Sequence, residues 1–299
     1  MSMIEQIMNN RERITDLSFF SNYSFRDMKH FFKDFSAITS LEPLETLNIS
    51  NCDSLEGCFE KCLSIKSLKG LEMWNVENIK DFSNMFNKCD TLSNISAISH
   101  WNMSKATSLS GMFCWCHSLA DISQLSLWDV SNVISLNSIF KNTSIDSLNG
   151  LSNWNTSKVS FMNESFMCSK ISSAKPLENW QTNNVKNLFS CFSGCYLENL
   201  EGLNSWNVSN CESLASCFMM NPLRDISEIS KWDVKNVRDF SCMFTYCENL
   251  ESVADISHWE VSQEACFYGM FEKCPIKDFE ELRSWFPEMS VEEIKNKVK

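Results

Sequence analysis

Apolar residues recur along this chain on a long beat rather than in blocks. Trp74, Trp101, Trp128, Trp154, Trp180, Trp206, Trp232, Trp259 and Trp285 stand 26 or 27 residues apart and use nine of the ten tryptophans. With each taken as position 0, position +12 is Phe86, Phe113, Phe140, Phe166, Phe192, Phe218, Phe244 and Phe271. Position +8 is Phe, Leu or Met throughout, and positions −9, −6 and −3 are apolar, as in Leu197, Leu200 and Leu203 before Trp206. Leu47 and Phe20 extend the register backwards, with Phe59 and Phe32 at their +12 positions. A fixed period of this length is the signature of a solenoid.

The columns predict the elements. Apolar positions +5, +8, +11, +12 and +15 have three-to-four spacing, which predicts a short helix ending near +15. Pro222 and Pro275 at +16 fit a helix that stops there. Positions 0 and +2, with Ile49, Val76, Val130, Val208 and Val234 at +2, predict a very short strand. The expected fold is therefore an α/β repeat solenoid, leucine-rich-repeat-like, with one short strand and one short helix per 26–27-residue coil and the strands stacked in parallel. Backbone ordering in a lone coil costs more than its apolar side chains return, so coils need neighbours.

The expected organisation is an N-terminal cap helix over 1–19, a nine-coil solenoid over 20–284, and a truncated coil with a cap helix over 285–299. Ile4, Ile7, Met8, Ile14 and Leu17 would turn onto the first coil from a helix over 2–17. Ser290 followed by Glu293 is a capping-box pattern for the last helix, whose Val291 and Ile294 would cover the final coil. Position +4 is Asn in six coils (Asn51, Asn78, Asn132, Asn184, Asn210, Asn236), which predicts a ladder of amides serving turn backbone.

Charge and chemistry then narrow the function. A formal charge of −12 argues against nucleic acid and anionic membranes. No apolar run approaches the roughly 20 residues of a membrane helix. The first residues carry no basic region followed by an apolar block, so no secretory signal is expected. Fifteen cysteines then read as thiols of a reducing, cytoplasmic compartment. A cell-surface or secreted location by a non-standard route is the alternative.

Cys62, Cys89, Cys116, Cys195, Cys247 and Cys274 share position +15 with Phe35, Thr143 and Ser169. A column that accepts Phe and Thr is a packing position, not a ligand set. The run Cys114-Trp115-Cys116-His117 invites a zinc reading, but Cys114 and Trp115 are expected to face out and Cys116 inward. Four convergent ligands are then not at hand. No glycine-rich phosphate loop or acid–base pair stands apart from the repeat, so neither enzyme activity, nor a cofactor, nor a metal is expected.

The unit W-N-V-S-N-V followed by M-F-x-x-C is clearest in WDVSNVISLNSIF at 128–140 and WDVKNVRDFSCMFTYC at 232–247. It resembles the BspA-type leucine-rich repeats, in their roughly 26-residue bacterial surface-protein variety. The likeness covers 47–285 well and 20–46 in degenerate form. It implies a protein-binding or adhesive surface, secreted or anchored. From the residues at its two ends no signal peptide, lipoprotein cysteine or wall-anchoring tail is expected, which departs from that pattern.

In a solenoid, binding falls to residues the repeat does not require. Positions +9, +13 and +14 are expected to face solvent, and most are polar. Met167, Phe189, Met219, Met220 and Tyr246 are the exceptions in four consecutive coils. They predict an apolar stripe contacting a protein partner or a second copy of the chain.

Overall fold

The computed structural model describes residues 3–21, 23 and 25–299. It divides into two compact units, Met1–Trp154 and Asn155–Lys299. The repeat register is the same in both.

The coil beginning at Trp101 shows how the chain is held. Met112, Cys114 and Cys116 each donate their N–H to the carbonyl three residues back, on Leu109, Gly111 and Phe113, at 3.0–3.2 Å. The intervening N–H groups leave the coil. Those of Leu109, Gly111, Phe113 and Trp115 donate to Ser135, Asn137, Ile139 and Lys141 of the next coil at 2.7–3.0 Å. Gly111 has φ +64° and Trp115 has φ +61°.

This is not the expected helix. A helix directs every N–H to the fourth residue back and does not admit left-handed residues. Here positions +8 to +15 form overlapping four-residue turns, each closed by a bond from the fourth residue to the first, with positive φ at the third residue of two of them, the type II signature. The same positive φ recurs at +10 and +14 in neighbouring coils, for example at Asn84 and Lys88, Ser138 and Asn142, and Cys242 and Tyr246. The first and last residues of the two type II turns, Leu109, Met112, Phe113 and Cys116, are the apolar ones, and their three-to-four spacing is why the sequence pattern reads as a helix.

The parallel register is also placed differently. Bridges join position +7 of neighbouring coils, as in Ser54 to Asp81 to Ser108 to Ser135, and Asn187 to Ser213 to Asp239 to Cys266. The expected strand at 0 and +2 makes no bridge at Trp74 to Val76 or Trp101 to Met103, although both side chains of each pair are buried as expected. Short 3-10 turns lead into position 0, for example Ser96–Ile98 and Lys175–Leu177.

Aromatic columns run through each unit. Phe32, Phe59, Phe86, Phe113 and Phe140 stack with centroids 5.3–5.9 Å apart in one. Phe166, Phe192, Phe218, Phe244 and Phe271 repeat the arrangement in the other. The tryptophan column does more than fill space. The indole N–H of Trp101 donates to the Leu71 carbonyl at 3.0 Å, that of Trp128 to Ile98 at 3.0 Å, and that of Trp232 to Leu203 at 3.0 Å. Each bond ties position 0 to position −3 of the preceding coil, a link phenylalanine cannot make. Four of the six asparagines at +4 behave as expected: Asn132, Asn184, Asn210 and Asn236 donate amide N–H to carbonyls of Ser104, Ser157, Asn183 and Ser209, while Asn78 accepts from the Lys105 ammonium.

The ends differ from expectation in detail. Helix α1 spans only Met3–Asn9, because the Asn10 side chain donates to the Gln6 carbonyl and ends it. Of the five residues expected to pack inward, Leu17 is buried and Ile4, Ile7, Met8 and Ile14 are half-buried. Helix α2, Val291–Val298, carries the predicted capping box: Ser290 Oγ accepts the Glu293 N–H, and the Glu293 carboxylate accepts the Ser290 N–H. Ile294 and Val298 cover the last coil, while Val291, in the first turn, stays 37% exposed.

Candidate functional site

The thiol column is structural. Cys62, Cys89, Cys116 and Cys195 each point Sγ at a +12 carbonyl of the preceding coil, on Phe32, Phe59, Phe86 and Phe166, at 3.2 Å. Where the column holds Thr143 or Ser169, the hydroxyl donates to the +12 carbonyl of its own coil instead. Burial pushes Cys195 up to about 12 and Cys211 up to about 11, and drives Cys58, Cys89 and Cys116 upward as well. Such thiols are poor nucleophiles.

The run at 114–117 separates as its turn geometry dictates. Cys116 is buried, and so is Cys114, contrary to the expected outward direction. Trp115 is 39% exposed and meets the His117 ring edge-on at 5.5 Å. His117 Nδ1 pairs with the Asp90 carboxylate of the coil before. Among the described residues no three His, Cys, Asp or Glu side chains gather in a metal-holding group.

The predicted apolar stripe lies wholly in the unit Asn155–Lys299, and the structure distributes its members. Met220 and Tyr246 are exposed at 52% and 40%. Both occupy +14 with φ of 58° and 60°, in a column where the preceding coil has Gly194. The Met220 N–H donates to Thr245 in Tyr246's coil at 2.8 Å, so the two residues sit on neighbouring rungs. Together they line a cleft of about 430 Å³ with Tyr196, Pro222, Glu248 and the edge of Asn221. Phe189 is exposed but stands at +9, outside that cleft. Met167 and Met219, at +13, are half-buried. The +13 column turns inward in other coils too, as the burial of Cys114, Ser193 and Thr245 shows.

Tyr196 is the residue the sequence reading missed. It sits at +16, where Pro222 and Pro275 mark the turn, and is 58% exposed. The signal for it was a phenol ring in a column that elsewhere holds mostly polar residues and proline, with Leu63 as its other exposed apolar member. Beneath it Asn221 is buried with its amide fully used. Its Oδ1 accepts the Leu197 N–H at 3.0 Å, and its Nδ2 donates to the Phe192 and Phe218 carbonyls at 2.8 and 3.0 Å. The cleft therefore has a fixed floor.

The row beside the tryptophans is mainly polar. Lys231, Asp233, Lys235, His258 and Glu260 line a shallow cleft of about 320 Å³, with Lys235 paired to Glu260 at 3.2 Å. Met73 and Leu127, both at −1, are isolated exposed apolar side chains of the other unit. No described helix is long and apolar enough to cross a membrane.

No curated protein is significantly similar to the chain in sequence. Among solved structures, an internalin (InlF) of Listeria monocytogenes superposes over 95% of this chain and 92% of its own, with 11% identity and a TM-score of 0.43. A second Listeria monocytogenes internalin (InlC2) covers 71% of this chain and 75% of its own at 14% identity, with a TM-score of 0.38. The leucine-rich-repeat ectodomain of an Arabidopsis thaliana receptor kinase, GASSHO1/SCHENGEN3, covers 79% of this chain and 36% of its own at 11% identity, with a TM-score of 0.35. A family model matches residues 26–144, 116–221 and 197–298, and on that span the chain belongs to the family described as Mycoplasma protein of unknown function, DUF285.

Proposed function

We propose that the chain is a non-catalytic, protein-binding repeat scaffold of the leucine-rich-repeat, BspA-like kind, which holds its partner at the outer turns of Asn155–Lys299. The observation that carries this reading is the pair Met220 and Tyr246. A left-handed backbone position favours Gly and Asn and penalises bulky side chains. Exposure gives those side chains no share in the core. A large apolar residue placed there twice in succession is explained by neither folding nor solubility, and exposed aromatic and methionine side chains are what protein interfaces use.

The test is the double substitution Met220→Asp with Tyr246→Ser. Both sites are exposed, so thermal unfolding should match the wild type. Proteins crosslinked to the wild-type chain in its source cells, or its self-association, should be lost from the variant. Retention of every such association by a folded variant refutes the reading.

The repeat unit's resemblance to bacterial surface repeats supports a second version, adhesion outside the cell. The buried thiol column supports a reducing interior. Protease treatment of intact cells separates them: loss of the chain places it outside, and survival until lysis places it inside.

A further inference from the structure

The cleft at Tyr196, Met220 and Tyr246 carries one acidic group. Glu248 lies on its rim, is exposed, and makes no ion pair among the described residues. Of the charged groups around it, Arg224 pairs with Glu198 at 4.0 Å and Lys277 with Glu251, while exposed Lys273, at +14 of the coil after Tyr246, makes no ion pair among the described residues. Two phenol rings, a thioether and one open carboxylate around a cavity of about 430 Å³ match a long cationic side chain. Aromatic faces attract cations, and a methionine packs against the aliphatic stem. A planar guanidinium stacks on a ring while its fork meets a carboxylate, which an ammonium cannot do. The chain's charge of −12 favours a basic partner in the approach as well.

We infer that this cleft seats an arginine side chain presented by the partner protein, held between Tyr196 and Tyr246 and paired with Glu248. The inference rests on the scaffold reading and names the chemistry of its anchor. The floor supports it: with the Asn221 amide fully bonded, the cleft has no buried polar demand that a neutral polar ligand would satisfy.

The test uses the full chain with capped arginine, N-acetyl-arginine amide, followed by ligand-observed NMR. Capped citrulline, which keeps the shape and loses the charge, is the control. Saturable binding of arginine is expected, weakened roughly five- to tenfold by citrulline, by Glu248→Gln and by Tyr246→Ser, and weakened by salt. Equal binding of citrulline, indifference to Glu248→Gln, or no saturable arginine binding overturns the inference. Glu248→Gln is an exposed, near-isosteric change, so folding is not at issue. Partner association separates the two proposals. Loss in the Met220→Asp, Tyr246→Ser variant with retention in Glu248→Gln overturns the arginine anchor alone. Retention in both overturns the scaffold site itself.

Discussion

The indole ladder allows a stability prediction in which two chemically identical substitutions differ. In Trp232→Phe, the smaller ring leaves a void costing about 1 kcal/mol. The Leu203 carbonyl also loses the indole N–H at 3.0 Å but keeps the Trp206 backbone N–H at 3.1 Å. It is not orphaned, so the loss is the net value of one hydrogen bond, about 1 kcal/mol. The sum is about 2 kcal/mol. Trp285 is equally buried and stacks on Trp259 at 6.2 Å, but its indole N–H is buried with no hydrogen-bond partner among the described residues. Trp285→Phe pays a similar void and removes an unsatisfied donor whose burial costs about 1–3 kcal/mol. Its net effect should lie near zero or be slightly stabilising. Both residues belong to Asn155–Lys299, so urea unfolding of that unit, read from amide hydrogen exchange, compares them directly. Costs equal to within about 0.5 kcal/mol, or a larger cost at Trp285, would refute the view that the tryptophan column is kept for its N–H.

Two further outcomes follow from the turns and the thiols. Lys88 is exposed with φ +61°, so Lys88→Gly should be neutral or stabilising by up to about 1 kcal/mol, and Lys88→Val destabilising by about 1–2 kcal/mol; in a helix the glycine would cost stability, so a destabilised Lys88→Gly chain contradicts the turn assignment. Cys195 and Cys211 are held protonated to about 12 and 11, above the ordinary thiol value of 9.0. Their contribution is intact below that ordinary value and is lost as pH rises towards the folded values, because the unfolded thiols ionise first. Stability should fall above about pH 9 by roughly 1.4 kcal/mol per pH unit for each thiol. Cys195→Ser should flatten the decline measured by urea unfolding between about pH 9 and 11, and an unchanged slope would sink the assignment.

Much of the fold was legible because each coil repeats the same burial. The tryptophan and phenylalanine columns, the inward pairs at 0 and +2, the asparagine ladder and the capping box at Ser290 all follow from residue type and spacing. The helix did not, because a pair of four-residue turns and a helix space apolar side chains alike. Glycine placement held the distinction: Gly57, Gly111 and Gly269 at +10 and Gly194 at +14 all have positive φ. The candidate site was legible only in part. Column reading treats positions separately, whereas the cleft joins +16 of one coil to +14 of the next two. Met167 and Met219, expected to face solvent, are half-buried, because +13 lies closer to the core on this turn than on the outer face of a helix.

The donor pattern of the coils bears on how such a chain changes length over generations. Within a unit, the interior coils, such as those from Leu47, Trp74, Trp180 and Trp206, each give the next the same four backbone N–H groups, at +8, +10, +12 and +14. Recombination that drops or copies a whole period therefore leaves every surviving junction chemically unchanged. Such events are confined upstream of α2, since the Val298 carbonyl accepts the Phe271 N–H in place of a further coil. An array built this way can lengthen or shorten in its interior while its last coil keeps the same neighbour. The cleft, which needs three particular coils in order, is the feature such events would erase first.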